Sequence, residues 1–229
     1  MTKIKLCGLY RPGDIEAANR LGPEYVGFVF ARGSRRYVTP EKAAELKRLL
    51  SPAIRAVGVT VNEEPETIAA LLKNGVIDMV QLHGNEDEDY IRRLRRLADR
   101  PIIRAVSVRT EKDAEDAEAS SADLLLLDSG AGSGSVFDWR LIEAIRRPYF
   151  LAGGLNADNV EKAVRELKPF GVDVSSGIET EGRKDRSKMA AFVAAVRRAD
   201  AAEETSREAP GASMPYENGG REDLGLSER

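Results

Sequence analysis

Cysteine is almost missing from this chain: Cys7 is the only one in 229 residues. A single cysteine cannot form an internal disulfide, which excludes a disulfide-stapled secreted scaffold and fits a reducing, cytoplasmic compartment. Histidine is equally scarce, with His83 alone. No cluster of His, Cys and carboxylates has the spacing of metal ligands, so no metal site is expected. No apolar stretch approaches the roughly 18 residues of a membrane span. The N-terminus enters a strand-like run at once, without the basic and apolar regions of a signal peptide. A basic field is absent too: 35 Lys and Arg against 38 Asp and Glu leave a net charge of -3, which argues against a nucleic-acid partner.

What the chain does have is rhythm. With 42% apolar residues it can bury a sizeable core. Short β-branched runs alternate with amphipathic stretches: "IKLC", "YVGFVF", "IRAVGVTV", "DMVQL", "PIIRAV", "DLLLL", "YFLAG" and "GVDVSS" are strand candidates. Helix candidates begin at Asp14, behind Thr39 as N-cap with Pro40 following, at "PETIAALLKNG", "EDEDYIRRLRRLA", "NADNVEKAVRELK" and "KMAAFVAAVRRA". Strands separated by helices argue for βαβ units and a parallel sheet, and about eight units in roughly 200 residues suit a single α/β (β/α)8 TIM barrel. An open doubly wound sheet is the alternative, but no G-x-G-x-x-G follows the first strand. From about residue 200 the chain is rich in Glu, Ser, Gly and Arg without an apolar period, so 1–199 reads as the barrel and 200–229 as a disordered tail.

In a parallel barrel, chemistry sits at the C-terminal ends of the strands. The first strand ends at Cys7, and the second runs into "ARGSRRYV" with three arginines. The fourth ends at Gln81-Leu82-His83, and the sixth runs from four leucines into Asp128 and the glycine-rich "SGAGSGSVFDW", read as a flexible loop. The seventh ends in Gly153-Gly154, followed by Asn156 at a helix start, and the eighth in Ser175-Ser176-Gly177. Amide and hydroxyl donors at these last two ends suit a phosphate; the plain alternative is turn chemistry. Asp128 is either a turn cap or an acid whose pKa burial raises. Cys7 is either an inert small hydrophobe or a thiol that Lys5, on the same strand face, pushes toward thiolate.

Together "KLCGL", "QLHG", "LLLDS", "GSGSVFDW", "LAGGLNADNV" and "GVDVSSGIE" followed by "KD" resemble the phosphoribosylanthranilate isomerase family of tryptophan biosynthesis, in order and over residues 3–197. The resemblance implies a cofactor-free Amadori rearrangement of a small phosphorylated substrate. By position it implies Cys7 as general base and Asp128 as general acid. It implies Arg36, or its neighbour Arg35, on the anthranilate carboxylate, and Gln81 and His83 as lining residues. Gly154 and the Ser176-Gly177 turn would belong to the phosphate cradle. Two other readings stay open: the histidine-pathway isomerase, whose substrate has phosphate at both ends, and a non-catalytic barrel that binds a phosphorylated metabolite. Nothing in the sequence separates a monomer from a homodimer.

Overall fold

The computed structural model describes residues 1–128, 141–142 and 145–208. Eight parallel strands close into a barrel in sequence order: β1 (Lys3–Cys7), β2 (Tyr25–Val29), β3 (Arg55–Thr60), β4 (Met79–Leu82), β5 (Ile102–Ser107), β6 (Leu124–Asp128), β7 (Tyr149–Ala152) and β8 (Gly171–Val174). The seam closes between β8 and β1, with Leu6 opposite Val174. Helices α1 (Pro12–Leu21), α2 (Pro40–Leu49), α3 (Pro65–Lys73), α4 (Glu88–Leu97), α5 (Glu111–Glu118), α6 (Val160–Leu167) and α7 (Arg186–Glu208) cover the outside. Three begin with Pro at the first turn, where a missing N–H costs nothing. Thr39 caps α2 as expected, its hydroxyl accepting from Lys42 N.

Strands buried on both faces read as continuous apolar runs. Their outward residues pack under the helices in the main core. Alternation sends Tyr25, Val57, Met79, Ile103, Leu126 and Phe150 into the barrel, where they form a separate cluster. Phe150 meets Tyr25 and Phe170 edge-on, each at 5.4 Å, and plugs the interior below the mouth. One layer higher, toward the strand ends, Cys7, Val29 and Val59 pack together.

The barrel extends past the boundary expected near residue 200. Helix α7 runs on to Glu208, and Asp200 ties it to the first strand: its carboxylate accepts from Thr2 N at 2.9 Å and Thr2 Oγ1 at 2.7 Å. Arg197 adds a bond to Thr2 O at 2.7 Å and pairs with Glu24. Asp200→Ala is therefore expected to cost about 2 kcal/mol, read from a urea midpoint, because Thr2 loses charge-assisted bonds in a buried setting. The glycine-rich run after Asp128 and the segment from 209 onward, the remainder of the expected tail, lie outside the described residues. Among the described residues no helix is long and apolar enough to cross a membrane.

Candidate active site

Cys7 closes β1 with its side chain in the mouth, buried and beside Gly27 of β2. A Cβ at Gly27 would lie 2.7 Å from the sulfur, so the missing side chain there is what makes room for the thiol. Below it, Lys5 is fully buried and its ammonium pairs with Asp173 Oδ1 at 2.7 Å. Burial works against that ammonium, but Asp173, helped by Cys7, more than offsets it and raises the pKa. The thiol goes the other way from expectation. Burial pushes the Cys7 thiol up, Asp173 adds to the rise, and the charges of Lys5 and Lys184 only partly oppose it. Lys5 therefore limits the cost of a thiolate rather than populating one at rest.

The ion pair is a structural element in its own right. Lys5→Met would leave the Asp173 carboxylate buried without its partner, a loss of about 3–5 kcal/mol visible in a urea midpoint. Adding Asp173→Asn should recover most of it, since no buried charge is then left alone.

Arg36 stands in the loop after β2, its N–H donating to Ser34 Oγ at 3.1 Å. Gly8 follows Cys7 at φ +76°, and a Cβ there would meet Arg36 Cδ at 2.5 Å. Glycine is thus needed both for the turn and for the arginine's approach. Arg36 lines the mouth and is half-buried, whereas Arg35 is exposed. On the other side of the mouth, Gln81 Nε2 donates to His83 Nδ1 at 2.8 Å, so the ring proton belongs on Nε2. Gln81 Oε1 is buried with no partner in the chain. Asp128 ends β6, half-buried.

Gly153 and Gly154 leave β7 at φ 88° and 64°. The turn after β8 packs directly on this loop: a Cβ on Gly177 would lie 1.9 Å from Leu155 O. One cavity of about 340 Å3 unites Cys7, Arg36, Gln81, His83 and Asp128. Its wall at β7 and β8 is Gly153, Gly154, Ser175 and Ser176. Two expected residues do not line it. Gly177 stands behind, as the packing contact. Asn156 stands at the turn that leads into α6, its carbonyl accepting from Val160 N at 3.1 Å; its N–H is taken by Asn159 Oδ1 at 2.9 Å, and its own Oδ1 accepts from Asp158 N and Asn159 N in the manner of a helix cap. The turn consumes the donors expected to be exposed there.

Like Asp173, three further charged residues were not singled out by sequence reasoning. Glu179 receives Arg36 side-on, Nε at 2.6 Å and Nη2 at 2.7 Å, and also pairs with Lys184 at 2.7 Å. Burial alone would raise the Glu179 carboxyl, but Arg36 and Lys184 hold it down at about 2. Across the mouth, where the hollow widens over β3 to β5, the amides of Asn62 and Gly84 converge on the buried Glu86 carboxylate at 2.7 and 2.8 Å. Among the described residues no three His, Cys, Asp or Glu side chains are grouped so as to hold a metal ion.

Residues 4–195 match the family model described as N-(5'phosphoribosyl)anthranilate (PRA) isomerase. An N-(5'-phosphoribosyl)anthranilate isomerase of Endomicrobium trichonymphae is 45% identical over 194 residues, covering 82% of this chain and 95% of the relative. That of Acetivibrio thermocellus is 44% identical over 214 residues, covering 87% and 98%. Among solved structures, the phosphoribosylanthranilate isomerase of Thermotoga maritima superposes with a TM-score of 0.78 at 37% identity, covering 86% of this chain and all of the other. A phosphoribosyl anthranilate isomerase in complex with reduced 1-(o-carboxyphenylamino)-1-deoxyribulose 5-phosphate is similar to the same extent, with a TM-score of 0.77 at 36% identity and coverage of 86% and 100%. The chain belongs to the N-(5'-phosphoribosyl)anthranilate isomerase family.

Proposed function

We propose that this isomerase converts N-(5-phosphoribosyl)anthranilate into 1-(2-carboxyphenylamino)-1-deoxyribulose 5-phosphate, the Amadori step of tryptophan biosynthesis, with Asp128 as acid and Cys7 as base. The observation that carries the reading is the single cavity in which a thiol and a carboxyl share a mouth with an arginine and two glycine- and serine-rich strand ends. Asp128 donates a proton to the departing ring oxygen, the C1–O bond breaks, and a Schiff base forms to the anilinic nitrogen. The Schiff base acidifies the C–H at C2, the Cys7 thiolate removes that proton, and the enolamine then ketonises. Each step is a proton transfer or the bond cleavage it assists, and C2 is oxidised as C1 is reduced within one molecule, so the scheme calls for no redox partner or cofactor. No covalent bond to sulfur forms, which is why a cysteine without a triad suffices.

Both ends of such a substrate are anionic, and the cavity offers a partner at each. Gly154 and Ser176 would cradle the phosphate, and Arg36 would meet the carboxylate. Gln81 Oε1 would accept from a sugar hydroxyl, which would satisfy a buried acceptor. All of these groups come from one chain, so the chemistry needs no second subunit. A substrate with phosphate at both ends would need a second amide cradle, and across the mouth Glu86 already takes the Asn62 and Gly84 amides.

The test is turnover of phosphoribosyl anthranilate, generated in situ, followed by loss of its fluorescence. Turnover supports the reading. A protein that is inert yet binds ribose 5-phosphate would be a phosphosugar-binding barrel instead. The pH profile tests the base: kcat/KM should rise with pH, because only the deprotonated thiol can act. In the Lys5→Met/Asp173→Asn pair the thiolate loses a stabilising charge that outweighs the opposing one. The rising limb should then move to higher pH.

A further inference from the structure

The chain after β8 forms a small hairpin, β9 (Glu179–Thr180) against β10 (Arg183–Lys184), that takes no part in the barrel. Its two-residue turn, Glu181 and Gly182, has φ of 52° and 76°, the pattern of a tight hairpin turn that fixes register. That register sets Lys184 opposite Glu179. Both side chains are buried, at 0% and 5% exposure, beside the active-site mouth rather than in the apolar core. Lys184 Nζ also donates to Ser175 O at 2.8 Å, so the pair is anchored to the end of β8. Breaking even between desolvation and attraction is the usual fate of a buried pair, so stability alone gives little reason to keep one here.

We propose that Glu179 is a positioning residue for the isomerase: with Lys184 behind it, it holds the Arg36 guanidinium by one edge and so turns the other edge to the substrate carboxylate. The proposal rests on the functional reading above, because it requires a substrate with a carboxylate at that end. A guanidinium has five N–H groups in a planar fork. Glu179 occupies the edge formed by Nε and Nη2. Three of the five remain, and two of them, one on Nη1 and the second on Nη2, form another edge that is again a fork matching a carboxylate bidentately.

The charge count agrees. Arg36 and Lys184 bring two positive charges and Glu179 one negative, leaving one net positive charge to meet one carboxylate. Without Glu179 the two cations would repel each other at close range. Arg36 is also confined from below, since its Cδ packs where a Cβ at Gly8 would be. Packing fixes the stem and Glu179 fixes the rotation of the head.

Steady-state kinetics of Glu179→Gln and Glu179→Asp in the full chain decide the matter, with ribose 5-phosphate as a competitive probe that carries phosphate and no carboxylate. Glu179→Gln should raise KM for phosphoribosyl anthranilate about 10-fold or more, with kcat changed only a few-fold. Its Ki for ribose 5-phosphate should stay at the wild-type value. Glu179→Asp keeps the charge and should show a smaller rise in KM. In an Arg36→Met background, adding Glu179→Gln should change KM no further, because its effect passes through the arginine. If KM and the ribose 5-phosphate Ki rise together, or the two substitutions add, Glu179 merely braces the hairpin and the proposal is overturned. Unchanged KM in both variants overturns it as well while leaving the isomerase reading intact. Wild type that fails to turn the substrate over overturns both.

Discussion

Cys7→Ala is expected to lower kcat/KM for phosphoribosyl anthranilate by about 10²–10⁴-fold, the usual worth of a positioned acid or base. Little of that loss should come from folding. The sulfur packs in a small cluster with Val29 and Val59, and its removal deletes one atom at the mouth rather than in the central core. Cys7→Ser separates the base from the shape, since a hydroxyl fills nearly the same space but gives up its proton far less readily. It should be almost as impaired as alanine. Deuterium at C2 of the sugar identifies the step: with the base gone, C–H cleavage limits the rate and a primary isotope effect appears. A variant that retains wild-type turnover would show that Cys7 is packing alone.

Asp128→Asn should produce a loss of the same order, about 10²–10⁴-fold, through the other half of the chemistry. The amide keeps the size of the side chain but has no acidic proton for the ring oxygen. Ring opening then becomes limiting, so this variant should show no isotope effect at C2. Contrasting isotope effects in the two variants would assign acid and base to separate steps. A large effect in both would mean that Asp128 acts on the C–H step, and the division of roles would fall. Both side chains line one cavity, so each variant also controls for mere distortion of the mouth by the other.

The strand ends that carry these groups were legible because a parallel strand buried on both faces is a continuous apolar run, and such runs stop visibly at Cys7, Leu82 and Asp128. Helix α5 was not legible. "EKDAEDAE" offers only Ala114 and Ala117 to the core, too little apolar contrast to show a period. The continuation of α7 escaped for a similar reason: the tie at Asp200 is a set of hydrogen bonds to Thr2 rather than an apolar contact, and the residues after it carry no apolar period. Asn156 stands where an asparagine after a glycine pair is expected, capping the turn into α6, but only the structure shows that its own side chain takes the Asp158 and Asn159 amides.

By itself the sequence determined the alternation of strands and helices, hence a parallel sheet, and which residues stand where strands end. Those are local properties, written in the period of burial and in single residues such as the glycines that only certain backbone conformations require. The tertiary structure decided the rest, because it depends on groups far apart in the chain. Lys5 meets Asp173 across the barrel seam, Arg36 meets Glu179 from a loop on the far side of β1, and Gly27 clears the space that the Cys7 sulfur fills. It also reversed the reading of the thiol. One neighbouring ammonium, visible in the sequence two residues away, favours a thiolate; burial, which exists only once the barrel closes, is the larger effect.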